Sequence, residues 1–259
     1  MLDKQSPVPL YYQLAEVIRE RITSGQLTPG DQLPAERELS DQAGISRMTA
    51  RQAVAYLVRQ GLLEVKPGIG TFVAAPKLTH DALHLLSFTE EMMLQGGAVY
   101  SRVLEQTVTT APLRIANGLR LSTAEPVVKI VRVRLANDTP LLLETIFVPA
   151  PLCPGLEQAS LETRSLYSIL EEQYGFHLQF ARQTIEATVA NEFESNLFGI
   201  PLDTPMLLLE GVAYDQQEQP VESFKAIYRG DRFKFELAGQ RNHQDEAIVG
   251  TSRMNIVMK

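Results

Sequence analysis

The run AERELSDQAGISRMTARQAVAYLVRQGLLEVKPGIGTFV, Ala35 to Val73, constrains the fold more tightly than any other part of the chain. A helix is expected from about Ala35 to Ala43, with Pro34 preset at its first turn and Gly44 able to take the left-handed stop. A second helix must begin three residues later. Ser46 suits its N-cap, because the hydroxyl accepts from an otherwise unpaired backbone N–H of the first turn. This helix should run to about Gln60 and stop at Gly61, with Ala50, Val54, Leu57 and Val58 as its inward stripe. Helix, glycine-bearing turn and capped helix in that order make a helix-turn-helix. After Gly61 the period changes: LLEVK, PGIG and TFVA read as two short strands and a turn, a hairpin placed as a wing. Upstream, Leu10, Leu14, Val17, Ile18 and Ile22 predict an amphipathic helix between Pro9 and Gly25, and Pro29 and Gly30 fix the turn in LTPGDQL.

Charge separates this region from the rest. The chain carries a formal net charge of -7. Residues 1–76 hold 8 Lys+Arg and 8 Asp+Glu, so the remaining 16 basic and 23 acidic residues carry all of it. Residues 42–76 have Arg47, Arg51, Arg59 and Lys66 against Glu64 alone, a local +3. A polyanion responds to the surface within about 8 to 10 Å at ordinary salt, so the local sign governs its approach.

An arginine pair at i and i+4 is ordinarily a solvated helix face. Joined to the helix-turn-helix spacing, the cap and the wing, it reads as a DNA contact. A helix of this kind fits the major groove, where an arginine donates twice to guanine O6 and N7. Arg47 is the first candidate base reader. Ser46, Thr49 and the helix N-terminus suit phosphate oxygens, Arg51 suits either role, and Gln52 shares their exposed side. Arg37 would reach phosphate from the preceding helix, and Lys66, Gly68 and Gly70 would bring the wing to the minor groove.

A length of 259 residues, 44% of them hydrophobic and 21% charged, allows two folded domains. The lone Cys153 excludes an intrachain disulfide and a thiolate cluster for zinc. MLDKQSPVPLYYQ lacks the basic start and apolar core of a signal peptide, and no window approaches eighteen uninterrupted apolar residues. A soluble, cytoplasmic protein with no membrane partner is expected.

The expected division is a DNA-binding domain at 1–76, a linker at 77–85 around AAPKL, and a second domain at 86–259. His80 and His84 stand at helical i, i+4 spacing, but with no further ligands joined to them, surface or packing roles are favoured over metal. Farther on, VVKIVRVRL and LLLETIFV form one hairpin, MLLLEGVAY and VESFKAIYR another, with QTIEATVA a further strand and SLYSILEEQYG and EFESNLFG helices. Such a mixture argues α+β with an antiparallel sheet. Arg132 and Arg134, two apart on one strand, leave the same face as Val128 and Ile130. Two like charges there are costly unless an anion meets them. A phosphate would match both planar forks, and an internal ion-pair cluster with Glu144 or Glu222 ranks equally on spacing.

VPLYYQLAEVIRERI, LP-x-ER-x-L, SR-x-T-x-R-x-A and G-x-GTFV, in order over residues 8–73, resemble the winged-helix domain of the GntR family of bacterial regulators. The wing departs from it, reading EVKPGIG where the family carries more basic residues. SFTEEM, SRVL, R-x-R, Glu144, SLY and PVESFKAIYRGDRFKF, over about 84–237, resemble the effector-binding UTRA domain of the HutC subfamily, which shares the chorismate-lyase fold. That resemblance implies an effector site with Phe88, Thr89, Arg132, Arg134, Ser165 and Tyr167 near a phosphate and Glu144, Glu222 and Tyr228 near sugar hydroxyls, SFTEEM supplying a closing loop. It further implies a homodimeric repressor of a near-palindromic operator, controlled by a phosphorylated sugar, with glucosamine 6-phosphate or N-acetylglucosamine 6-phosphate the leading effector.

Three other readings weigh less. A different metabolite would suit the same architecture. An enzyme of lyase-like fold would need a cofactor loop, a base beside Cys153 or a placed carboxylate pair, none of which the sequence offers, and no cofactor is implied. A nonspecific architectural binder would need a broadly basic surface, against the net charge of -7.

Overall fold

The computed structural model describes residues 2–81, 85, 87–94 and 99–237. Helix α1 (Leu10–Thr23) is followed by α2 (Glu36–Ala43) and α3 (Arg47–Arg59). Gly44 takes the left-handed stop after α2 at φ 63°, and Ser46 caps α3 by accepting the Thr49 N–H at 3.1 Å. The wing is strands β1 (Leu63–Lys66) and β2 (Gly70–Val73), antiparallel. The LTPGDQL turn braces it: the Leu33 N–H donates to the Thr71 carbonyl at 2.8 Å and the Val73 N–H to the Asp31 carbonyl at 2.9 Å. Leu14, Ala15 and Ile18 of α1, Leu39 of α2 and Ala50, Ala53, Val54 and Leu57 of α3 share one core with Leu33, Leu63 and Val73. Each large side chain so buried stabilises the fold by roughly 1.5–3 kcal/mol. Val58 and Val17, assigned to inward stripes from spacing, are half-buried and exposed, while Ala53 takes an inward place.

Residues 77–85 are not all connector. Strand β3 (Leu78–Asp81) lies there, before α4 (Phe88–Leu94), β4 (Val99–Thr110) and α5 (Leu113–Gly118). Next come β5 (Pro126–Ala136) and β6 (Thr139–Pro149), turned by Asn137 and Asp138 at φ 47° and 62°, left-handed values that these residues tolerate best after glycine. Helix α6 (Leu166–Tyr174), β7 (Leu178–Val189), α7 (Glu192–Phe198), β8 (Pro205–Asp215), β9 (Pro220–Arg229) and β10 (Phe233–Glu236) complete the described chain.

Six strands form one antiparallel sheet in the order β4-β5-β6-β9-β8-β7, and β10 pairs in parallel with β3. Alternation sorts the sheet's side chains onto two faces. Val128, Ile130, Ile146 and Val148 pack under Leu166, Ile169 and Leu170 of α6, while Val133, Leu143 and Ile227 pack with Phe198 of α7. Arg132 and Arg134 continue the register of Val128 and Ile130, so they emerge between α6 and α4. SFTEEM, expected as a loop, is the start of α4: Ser87 Oγ accepts the Glu90 N–H at 3.2 Å and Glu90 Oε2 accepts the Ser87 N–H at 2.7 Å, a reciprocal cap that makes the segment helical. Among the described residues no helix is long and apolar enough to cross a membrane.

Candidate functional site

Two places bring sequence-predicted residues together. On the first domain, Arg37, Ser46, Arg47, Arg51, Gln52, Lys66 and Gly68 are exposed, and Thr49 and Gly70 are half-buried. Arg47 touches Glu36 at 3.5 Å yet keeps 73% of its side chain exposed. A pair this open is worth at most about 1 kcal/mol, so the guanidinium remains free to exchange partners. Ser46 and Thr49 share a hydroxyl–hydroxyl hydrogen bond of 2.8 Å, which engages both in the cap. Lys66 is drawn to Glu64 at 3.2 Å and lies 4.7 Å above the Phe72 ring, which anchors its stem on the wing.

On the second domain, a cavity of about 70 Å³ opens between the sheet, α4 and α6. Register builds its floor: Arg132 faces Glu144 across β5–β6, Glu144 faces Ala226 across β6–β9, and Ala226 faces Leu209 across β9–β8. In the next row Arg134, Leu142 and Tyr228 align. Arg132 and Arg134 are each only 2% exposed. Arg132 Nε donates to Glu144 Oε1, which also accepts from Arg134 Nη1 at 3.2 Å. Spacing alone ranks a phosphate site and an ion-pair cluster equally; the geometry contains the ion pair, made by Glu144 and not Glu222.

One carboxylate does not satisfy two forks. Arg132 Nη1 and Arg134 Nε, both buried, have no hydrogen-bond partner, and neither has Glu222 Oε2. Such groups cost about 1–3 kcal/mol each when left unmade, more if charged. Arg134 Nη2 donates to Thr89 Oγ1 at 2.6 Å, and the guanidinium carbon stands 5.0 Å over the Phe88 ring, tying α4 to the arginine pair. Tyr167 on α6 donates to Glu222 Oε1 at 2.8 Å from the opposite wall.

The electrostatics follow from burial. Desolvation pulls the Arg134 pKa down to about 10 against the attraction of Glu144, so it stays charged at neutral pH. Burial also pushes Glu144 upward, but Arg132 and Arg134 outweigh it and leave the carboxyl below its ordinary range. Glu222 is less well escorted: burial raises it to about 7, with the Tyr167 hydrogen bond and the more weakly felt Arg132 opposing. Burial, above all, raises Tyr167 and Tyr228 well past the ordinary phenol.

Phe88, Arg132, Arg134, Glu144, Tyr167, Glu222 and Tyr228 therefore line one cavity. Thr89 stands just behind it through Arg134. Ser165 is not on its lining: buried at 5%, it is the N-cap of α6, accepting the Ser168 N–H at 3.5 Å. Cys153 is fully buried in the core beneath α6, and burial pushes its thiol up to about 12, which removes the thiolate a nucleophile would need.

Against known families, residues 10–73 match the bacterial regulatory proteins of the gntR family, and residues 94–234 match the UTRA domain. The chain is 38% identical over 234 residues to the transcriptional repressor NagR of Bacillus subtilis, covering 90% of this chain and 96% of that one. The mannosyl-D-glycerate system repressor MngR of Escherichia coli is 33% identical, over 90% of this chain and 97% of its own. The crystal structure of PhnF from Mycobacterium smegmatis superposes with a TM-score of 0.63 at 31% identity, over 88% of this chain and 99% of that one. This chain belongs to the gntR family. As a GntR regulator of the HutC type with a UTRA domain, it is a transcription factor that binds operator DNA and a small-molecule effector, and not an enzyme.

In this GntR chain the spacing of His80 favours a surface or packing role and does not point to the cavity. The residue lies on a strand, not a helix, and His84 lies outside the described residues. His80 is buried, lines the cavity, and its Nδ1 is 2.5 Å from Glu91 Oε2 on α4. Leu85, Ile146, Leu166, Gln183, Leu209 and Phe224 are among the wall residues that spacing did not identify. For Ile146, Gln183, Leu209 and Phe224 the only signal is the alternation of each strand, which tells a face but not what stands opposite.

Proposed function

We propose that this protein is a repressor that grips a near-palindromic operator as a homodimer and changes its grip when a phosphorylated sugar, with an amino-sugar 6-phosphate the leading class, occupies the arginine cavity. Residues 1–76 would read DNA and 86–259 would bind effector and dimerise, with 77–85 joining them through β3. Arg47 would read guanine, with Arg51 and Gln52 beside it; Arg37, Ser46 and Thr49 would hold phosphates, and Lys66, Gly68 and Gly70 would bring the wing to the minor groove. Cytoplasmic location follows from that role.

One observation carries the effector reading: two buried guanidinium groups, each with an unpaired nitrogen, line one cavity together with Glu222, whose Oε2 is an unpaired oxygen. A phosphate monoester supplies the acceptors, and sugar hydroxyls or an amine supply the donors, so one molecule answers both needs. Thr89 supports the anion end through Arg134, and Glu144, Tyr167 and Tyr228 surround the polar remainder. Ser165 would contribute through the first turn of α6, whose position it holds. The resemblance carried by SFTEEM favours the amino-sugar class, and the mannosyl-D-glycerate system repressor MngR is a relative whose name gives another sugar.

A gel-shift titration with glucosamine 6-phosphate and N-acetylglucosamine 6-phosphate tests the coupling. Operator affinity should move by about 5- to 150-fold, the span of ordinary allosteric couplings. Unchanged affinity with calorimetrically demonstrated binding would defeat it.

A further inference from the structure

The two halves of the molecule meet at a backbone contact without slack. Gly61, the left-handed stop after α3 at φ 72°, lies against the turn between β9 and β10 so closely that a Cβ there would come within 2.1 Å of the Asp231 carbonyl oxygen. Around it, Arg232 Nη2 stands 3.7 Å from Glu64 on β1, Lys77 Nζ donates to the Gly230 carbonyl at 2.6 Å, and the Leu78 N–H donates to the Arg232 carbonyl at 2.8 Å.

The turn is braced from inside the effector domain. Arg229, 7% exposed, grips Asp231 through Nε at 3.1 Å and Nη2 at 2.7 Å and donates Nη1 to the Pro140 carbonyl at 3.2 Å. The Gly230 N–H donates to the Pro205 carbonyl at 3.1 Å, where a Cβ would come within 2.6 Å of the same oxygen. Held this way, the turn moves as a unit and does not yield internally.

One strand leaving this turn lines the cavity and the other packs against its walls. Tyr228, a wall of it, lies three residues before Asp231. Phe233 at the other end packs 5.0 Å from Tyr228 and 6.1 Å from Phe88. Strand β10 pairs with β3, whose His80 lines the cavity and bonds to Glu91 of α4.

We propose that the Gly230–Arg232 turn is the relay between the sites: occupancy of the cavity resets Tyr228 on β9, His80 on β3 and Phe88 against Phe233 of β10, these strands carry the turn, and the turn carries Gly61 and with it the end of the reading helix. The relay deepens, and rests on, the effector-controlled operator binding proposed above. A packed contact with no spare space passes a small displacement on in place of absorbing it.

The test uses the full-length chain, a duplex selected from a random pool by the wild type, and glucosamine 6-phosphate as probe. Gly61→Asn keeps a residue that accepts the left-handed φ but adds a side chain where Asp231 stands. Gly25→Asn is the control, since Gly25 has a similar φ of 76° and no neighbour within 4 Å. In Gly61→Asn the probe should still bind by calorimetry while its effect on duplex affinity disappears; Gly25→Asn should respond as the wild type does. A wild-type response in Gly61→Asn overturns the relay alone. Probe binding to the wild type without any shift in duplex affinity defeats the functional reading, and the relay falls with it. Should Gly61→Asn fail to fold, Arg232→Glu must weaken the response and Glu64→Arg added to it must restore it; an undiminished response in Arg232→Glu also overturns the relay.

Discussion

Arg134 gives up nearly all its hydration to stand beside a second cation, and a single carboxylate, Glu144, serves both. Such an arrangement is stable enough to fold but leaves attraction for a further anion unspent. Arg134→Met keeps the stem's volume and removes one fork, so binding of glucosamine 6-phosphate should weaken by at least about tenfold, the equivalent of 1.4 kcal/mol, measured by calorimetry. Undiminished affinity would move the phosphate elsewhere. Glu222 gives a separate, pH-dependent signature. Its folded pKa of about 7 lies above the unfolded carboxyl's ordinary 4.5, so the native state binds the extra proton and stability falls as pH rises between those values. The loss amounts to the order of 3 kcal/mol by pH 7, whereas Glu144, shifted the other way, loses its contribution only as pH falls through its depressed range. Glu222→Gln should therefore gain on the wild type in thermal unfolding between pH 5 and pH 7; parallel curves would show that Glu222 titrates normally.

At the scale of elements, α3 presents its charges without binding them to itself. Arg47 spends only an open contact on Glu36, so Arg47→Ala should leave thermal stability nearly unchanged yet cost about 1–3 kcal/mol of operator affinity where a guanine is read, tested by gel shift on the selected duplex and on one with that guanine replaced. Equal weakening on both duplexes would make Arg47 a phosphate contact. The cap at Ser165 has a distinct consequence: Ser165→Ala should destabilise by about 1 kcal/mol in denaturant unfolding, because the α6 N-terminus loses its acceptor. These elements were legible because their signals are local: Ser46, Gly44 and Gly61 punctuate helices, and the two-residue spacing of Arg132 and Arg134 states a common face. The reciprocal Ser87–Glu90 cap was equally local, and reading SFTEEM as a loop overlooked it. Strand β3 was not legible, since its partner lies some 155 residues away in β10 and its four residues carry no alternation of their own. The role of His80 follows from that non-local pairing, and no neighbour in sequence announces it.

For the whole molecule, the proposed dimer makes a prediction that a single reading head does not. A chain with net charge -7 approaches DNA favourably only through its first domain, where residues 42–76 hold a local +3. One such head contributes few phosphate contacts, and sequence-specific binding by an otherwise acidic protein then requires two heads held at fixed separation. The β3–β10 pairing and the seat of Gly61 against Asp231 supply that rigidity within each chain, and a two-fold axis through the effector domains would supply it between chains. Half-sites then fall on one face of the duplex. Inserting five base pairs between them turns one half-site by about half a helical turn, and should reduce affinity to that of an isolated half-site; inserting ten restores the face and should recover part of the loss. Gel shifts on the three duplexes, run beside sedimentation of the free protein, separate the cases. Indifference to the five-pair insertion would mean that each chain binds alone, and a two-chain sedimentation mass combined with that indifference would mean that the reading heads are free to turn about β3.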